Sequence, residues 1–191
     1  MEVIVGAILT QNTSWKNVGY ALDNLKQAGM LDWSSLRDVK ESDLANLIRP
    51  AGYYNVKARR LKNFARWLWA SHRGDPESLN KLPLDAARRD LLSVNGIGPE
   101  TADSILLYAL NRPIFVVDAY TGRILRRHGI VEASGTYDEI QSLMTGALPT
   151  ETQMYNEYHA LIVRVAKDHC RVKANCAECP LAFHAHDEQL R

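Results

Sequence analysis

Residues 3–27 carry Ile4, Ala7, Ile8, Trp15, Val18, Leu22 and Leu25 at three- and four-residue steps, the spacing of an apolar helix face. Gly29 closes the run, which reads as one helix or as two joined near Gln11–Ser14. The same periodicity predicts helices over 34–39, 41–48, 55–71, 84–92, 99–110, 119–128, 136–146 and 151–169, while strand alternation is nearly absent. Turn signals stand between them: Arg49-Pro50-Ala51-Gly52, Gly74-Asp75-Pro76, Asn95-Gly96-Ile97-Gly98-Pro99 and Asn111-Arg112-Pro113. Many short helices joined by tight turns make an all-α fold. Met1 stands almost directly before the first apolar face with no polar cap. The expectation is that the reading frame starts late or that a preceding segment is missing.

A length of 191 residues allows one domain or two small ones sharing a core. With 46% hydrophobic and 24% charged residues, disordered and low-complexity classes drop out. Lys and Arg number 23 against 22 Asp and Glu, so a net charge of +1 gives no global pull toward nucleic acid or anionic membrane, and any basic surface must be local. The longest apolar runs, 4–9, 104–110 and 114–117, fall far below the roughly 18 residues of a bilayer span. No membrane partner is expected. Residues 1–10 lack a basic n-region and a small-residue cleavage site, which predicts an intracellular protein, in the cytoplasm or nucleoid if the source is bacterial. Three cysteines crowded at 170, 176 and 179 are too few and too local for a secreted disulfide framework, leaving metal binding or spare thiols.

Residues 88–110 place a short helix, the turn Val94-Asn95-Gly96-Ile97-Gly98, and a second helix opened by Pro99. This is a helix-hairpin-helix pattern. Its glycines allow a sharp turn in which amide N–H groups and the positive end of the second helix face one phosphate, gripping DNA without reading sequence. The same residues also suit a plain helix–helix corner that needs glycine for close packing. Downstream, the apolar run Ile114-Phe115-Val116-Val117 ends in Asp118, directly before the helix at 119, where an acid serves as an N-cap. Asp118 lies an 18-residue step beyond Glu100, so a carboxylate follows closely on a DNA-gripping element.

Taken together, A-I-L-T-Q-N-T at 7–13, A-G-Y-Y-N-V-K-A at 51–58, V-N-G-I-G-P-E-T-A at 94–102, V-D-A-Y at 117–120 and the cysteine tail resemble the helix-hairpin-helix DNA glycosylase superfamily, in its endonuclease III branch. The resemblance spans essentially the whole chain. It implies a two-lobed all-α enzyme with a central cleft that receives a flipped base. Residues 1–112 would form a six-helix lobe carrying the hairpin, and 113–191 a C-terminal helical lobe with the cysteine tail. The N-terminal segment of that second lobe is expected to be missing from this chain.

Cleaving an N-glycosidic bond builds positive charge on the sugar, so a fixed carboxylate stabilises the transition state more than the ground state and can also activate water. Asp118 is the candidate. Where the family's bifunctional members carry a lysine that forms a Schiff base, this chain has Glu100, and a carboxylate forms no imine. The resemblance therefore implies a monofunctional hydrolase without Schiff-base AP lyase activity. Glu100 would shape the pocket or simply favour the helix dipole. The adenine-mismatch branch has its catalytic Glu where Ala7 stands here. Absence of both groups resembles the monofunctional 3-methyladenine glycosylases, whose cationic bases suit an aromatic stack.

Trp15, one turn beyond Gln11, is the candidate for that stack, although an isolated Trp on an apolar face is in most cases a core residue. Gln11 matches the family residue that fills the gap left by the flipped nucleotide, although Gln11-Asn12-Thr13-Ser14 also reads as a polar turn. Gly96, Ile97 and Gly98 of the hairpin and Lys57 complete the expected DNA-binding set. Arg49, Lys57, Arg59, Arg60, Lys62, Arg66 and Arg73 form an acid-free basic run, with a second group at Arg112, Arg123, Arg126 and Arg127.

The family commonly binds a [4Fe–4S] cluster through Cys-x6-Cys-x2-Cys-x5-Cys. Here Cys170, Cys176 and Cys179 supply three thiols, the first gap is one residue short, and Ala185 takes the fourth position between His184 and His186. A cluster, a zinc ion in Cys3His geometry, or a decayed site all follow from that set. The expected function is a monomeric DNA glycosylase of base excision repair, releasing an alkylated purine from damaged double-stranded DNA. The alternatives are removal of oxidised or deaminated pyrimidines, or a catalytically silent DNA-binding module.

Overall fold

The computed structural model of the chain describes residues 1–187. Their regular structure is helical, without a strand among the described residues, and they divide into two compact units, one over Met1–Arg112 and one beginning at Pro113. Among the described residues no helix is long and apolar enough to cross a membrane.

The first unit holds α1 (Glu2–Leu9), α2 (Trp15–Gln27), α3 (Trp33–Asp38), α4 (Glu41–Leu47), α5 (Tyr54–His72), α6 (Leu84–Leu92) and α7 (Pro99–Ser104). The apolar run from residue 3 is thus two helices. The Ser14 side chain accepts from the Asn17 N–H, satisfying an amide that α2 itself leaves open, and Asn12 turns the chain through φ +54°. Ile4, Ile8, Val18, Leu25, Leu61 and Leu68 are buried in this unit's core, with α5 central to it. The stretch expected as one helix over 99–110 changes character after Ser104: Ile105–Ala109 form a π-helical turn, and the Leu110 N–H reaches the Ile105 carbonyl.

In the second unit the buried segment 114–117 leads into α8 (Ala119–Arg127), followed by α9 (Tyr137–Ala147) and α10 (Thr152–Asp168). A reciprocal capping box between Thr136 and Glu139 opens α9. The fully buried Tyr155 ring on α10 meets Phe115 edge-on at 5.6 Å, and Gln141 of α9 donates to the Phe115 carbonyl. These contacts fix the backbone just before α8, and with it the residue that starts that helix.

Candidate functional site

In the hairpin the two glycines answer different demands. Gly96 has φ +97°, and a β-carbon there would fall 2.4 Å from Cγ of Arg60, so both the backbone and the neighbouring stem require glycine. Gly98 has φ −95°, extended backbone open to any residue, and a side chain there would meet nothing within 4 Å. The fold therefore asks for one glycine where the sequence suggested two. Asn63 of α5 donates to the Asn95 carbonyl at 3.1 Å, and Ile97 is buried with its N–H on the Val94 carbonyl, so the turn is braced from below. Glu100 is exposed in the first turn of α7.

Gln11 is tied to this turn. Its Nε2 donates to Thr101 Oγ1 at 2.8 Å and, more weakly, to the Gly96 carbonyl at 3.4 Å. Trp15 is no core residue: it is 57% exposed at the start of α2, and a β-carbon at Gly6 would lie 2.9 Å from the rim of its indole. The ring thus rests on α1 at a position where only glycine leaves room. Gln11, Trp15 and the hairpin belong to the same unit.

Lys57 must be withdrawn from the DNA-binding set. It is 1% exposed, and its ammonium donates to the Ala51 carbonyl at 2.7 Å, closing the loop that precedes α5; burial, then the nearby Arg60, lowers its pKa to about 8. Lys62 is buried likewise, donating to the Arg37 and Val39 carbonyls. Of the rest of this run, Arg59 pairs with Glu41 at 3.3 Å, and Arg66 and Arg73 are exposed.

The second basic group is engaged within the protein. Arg112 donates to the Leu79 and Leu82 carbonyls, Arg123 to that of Cys170, and Arg126 to that of Gly135. The buried Arg127 donates to Cys170 Sγ at 3.2 Å and to the Arg171 and Val172 carbonyls at 2.6 and 2.9 Å. A guanidinium carries five donors in a fork, and here the forks staple irregular chain to helices.

Asp118 caps α8 and keeps an oxygen in reserve. Oδ1 accepts from the Thr121 N–H at 2.7 Å and the Thr121 hydroxyl at 2.9 Å. Oδ2 faces the His159 imidazole on α10, with Nε2 at 3.5 Å, the outer edge of hydrogen-bond reach. The two side chains are 13% and 12% exposed. Burial pushes the Asp118 carboxyl up, yet His159 and the two Thr121 donors outweigh it, leaving the group below the ordinary carboxylate range and anionic at neutral pH. Sequence reasoning missed His159. The signal was present: Tyr155, His159, Ile162 and Ala166 step by four, three and four along α10, so a histidine occupies a core position on the inward stripe.

The cysteine tail lines a cavity of about 20 Å³ with Cys170, Cys176, Cys179, His128, His169 and His186. One of the three sulfurs takes a hydrogen bond from Arg127, and Ala185 brings no fourth. Among the described residues no three His, Cys, Asp or Glu side chains stand together in a set able to hold a metal ion. The residues present do not fit a four-thiolate cluster.

A family model described as "HhH-GPD superfamily base excision DNA repair protein" matches residues 5–150. The chain is 51% identical over 182 residues to the protein of Methanocaldococcus jannaschii named "Putative DNA repair glycosylase MJ1434", covering 94% of this chain and 82% of that one. It is 34% identical over 154 residues to Endonuclease III homolog 1, chloroplastic, of Arabidopsis thaliana, covering 80% of this chain but 37% of that relative's length. Among solved structures, the H. pylori 3-methyladenine DNA glycosylase MagIII bound to 1,N6-ethenoadenine matches with a TM-score of 0.75 at 31% identity, covering 87% of this chain and 84% of that one. An endonuclease III bound non-covalently to DNA matches with a TM-score of 0.83 at 21% identity, covering 96% and 81%, and so shares the fold.

Proposed function

This chain belongs to the HhH-GPD superfamily of base excision DNA repair glycosylases, and we propose that it hydrolyses the N-glycosidic bond of a flipped alkylated purine in double-stranded DNA, as a monomer, leaving the strand uncut. The observation that carries this reading is the division of work within Asp118: one oxygen is fixed by two donors and the other, 3.5 Å from the His159 imidazole, is the one offered to the reaction, on a carboxyl that stays anionic. An anion held in place before the reaction needs no reorganisation when positive charge appears on the sugar.

In this mechanism the glycosidic C–N bond breaks with its electron pair leaving on the base, which departs neutral if its ring was cationic. A water oxygen bonds to the anomeric carbon, and the water's proton passes to Asp118 Oδ2. The hairpin serves the backbone: Gly96 makes the turn, and Gly98, which the fold itself leaves unconstrained, keeps the backbone bare where a phosphate approaches. Gln11 takes the place of the extruded nucleotide, and the exposed indole of Trp15 stacks on the cationic ring. Glu100 stands where an imine-forming lysine would be needed, which supports hydrolysis without strand cleavage.

The 31% identity to a 3-methyladenine glycosylase supports an alkylated purine. The 34% identity to an endonuclease III homologue favours oxidised or deaminated pyrimidines as the second reading. For the tail, three thiols without a fourth support a protein that carries no four-thiolate cluster; about four irons per chain on metal analysis would contradict this. The deciding experiment is turnover on duplexes each carrying one lesion from either class, read with and without alkali and with borohydride trapping. Breaks after alkali alone, on alkylated purines, are expected. An efficient borohydride adduct overturns the monofunctional mechanism, pyrimidine release overturns the substrate class, and binding with no product on any lesion leaves a silent DNA-binding module.

A further inference from the structure

Asp118 Oδ2 does not face open solvent alone, because the imidazole of His159 stands 3.5 Å from it and both groups are close to nine-tenths covered. With Oδ1 held by Thr121, any partner of Oδ2 governs how much negative charge the sugar meets. We propose that His159 is a positioning residue that controls this charge: neutral, it orients Oδ2 for the reaction, and protonated, it cancels the carboxylate and switches base release off. This rests on Asp118 acting as proposed above.

Aromatic rings dominate the surroundings of Asp118 and His159 in this unit. The segment before α8 presents the Phe115 ring, edge-on to His159 at 6.5 Å. From α9 comes Tyr137, whose hydroxyl accepts from the Val117 N–H, and from α10 itself Tyr155 and Tyr158, which share the Phe115 ring. The cations of α8 are directed elsewhere, Arg123 and Arg127 to the chain at Cys170–Val172 and Arg126 to Gly135. A buried charge pair a few ångströms apart is poorly screened, so adding a proton to the imidazole acts directly on the carboxylate. With the imidazole protonated, the carboxylate stabilises the transition state less.

Two variants separate this role from a packing role. Single-turnover base release is followed between about pH 5 and pH 8, on the lesion duplex that the wild type processes fastest, for wild type, His159→Gln and His159→Leu. Each rate is divided by the wild-type rate at the same pH, so that titration of the lesion itself cancels. Gln keeps an N–H donor without a titrating charge. Its ratio should lie within a few-fold of one at the alkaline end and rise at least about tenfold toward the acid end. Leu should lose about tenfold or more at the alkaline end, where orientation is missing, and show the same rise. A His159→Gln ratio that stays flat with pH overturns the proposal, whether or not His159→Leu folds. Failure of the underlying reading looks different: Asp118→Asn would retain turnover, or the wild type would be silent on every lesion.

Discussion

The two ends of α8 carry charged side chains with opposite fates. At its start Asp118 satisfies the helix with one oxygen and holds the other beside a titratable neighbour. At its end Arg126 and Arg127, with Arg123 one turn earlier, reach the carbonyls of chain that has no regular structure of its own. Charge alone does not distinguish these ends. What does is the count of hydrogen-bonding capacity against partners, because a group with capacity left over can still meet a ligand. The same count separates the hairpin glycines: Gly96 is demanded by φ and by Arg60, and Gly98 by nothing in the fold.

The comparison breaks most visibly at Arg127. Arg127→Met leaves three acceptors in the tail without their donors, and should cost about 3 kcal/mol, a fall of roughly 6–12 °C in Tm. Base release measured below that Tm should change less than about threefold. A variant as stable as the wild type would mean that the tail is not held by this fork.

The hairpin pair sharpens the contrast at smaller scale. Gly96→Ala should lose about 1–3 kcal/mol in denaturant unfolding, from the positive φ and the Arg60 stem. Gly98→Ala should stay within about 0.5 kcal/mol of wild type while weakening binding to duplex DNA several-fold. Equal stability losses at both positions would remove the argument that Gly98 serves a ligand.

The smallest effect belongs to Lys57. Burial holds its folded-state pKa at about 8 against 10.5 for the free group, so between these values the unfolded chain binds more protons than the folded one. Stability should therefore rise as pH climbs from about 8 toward 10 through this residue. Urea unfolding of Lys57→Met across that range should lack this contribution, and identical pH slopes for variant and wild type would contradict it.

Much of the fold was legible because helix periodicity and turn residues are local properties. The helices expected at 41–48, 55–71, 84–92 and 119–128 appear within a residue or two at Glu41–Leu47, Tyr54–His72, Leu84–Leu92 and Ala119–Arg127. Asp118 could be singled out because an acid after an apolar run and before a helix is a local pattern. His159 could not be joined to it, since 40 residues intervene and packing of α10 on α8 creates the pair. The basic residues misled for a related reason: a sequence displays guanidinium and ammonium groups but not the backbone carbonyls that receive them. Lys57, in a motif that suggested DNA contact, closes a loop. Cys170 looked like a ligand by spacing, and its sulfur meets Arg127.

The most direct test of the central claim is Asp118→Asn, which keeps the size and an acceptor for Thr121 but removes the charge. Single-turnover base release and binding to the same damaged duplex are measured side by side. The account predicts base release reduced at least about a hundredfold with binding within a few-fold of wild type. Turnover retained near the wild-type rate would contradict it, because the carboxylate would then not be the group that meets the developing positive charge.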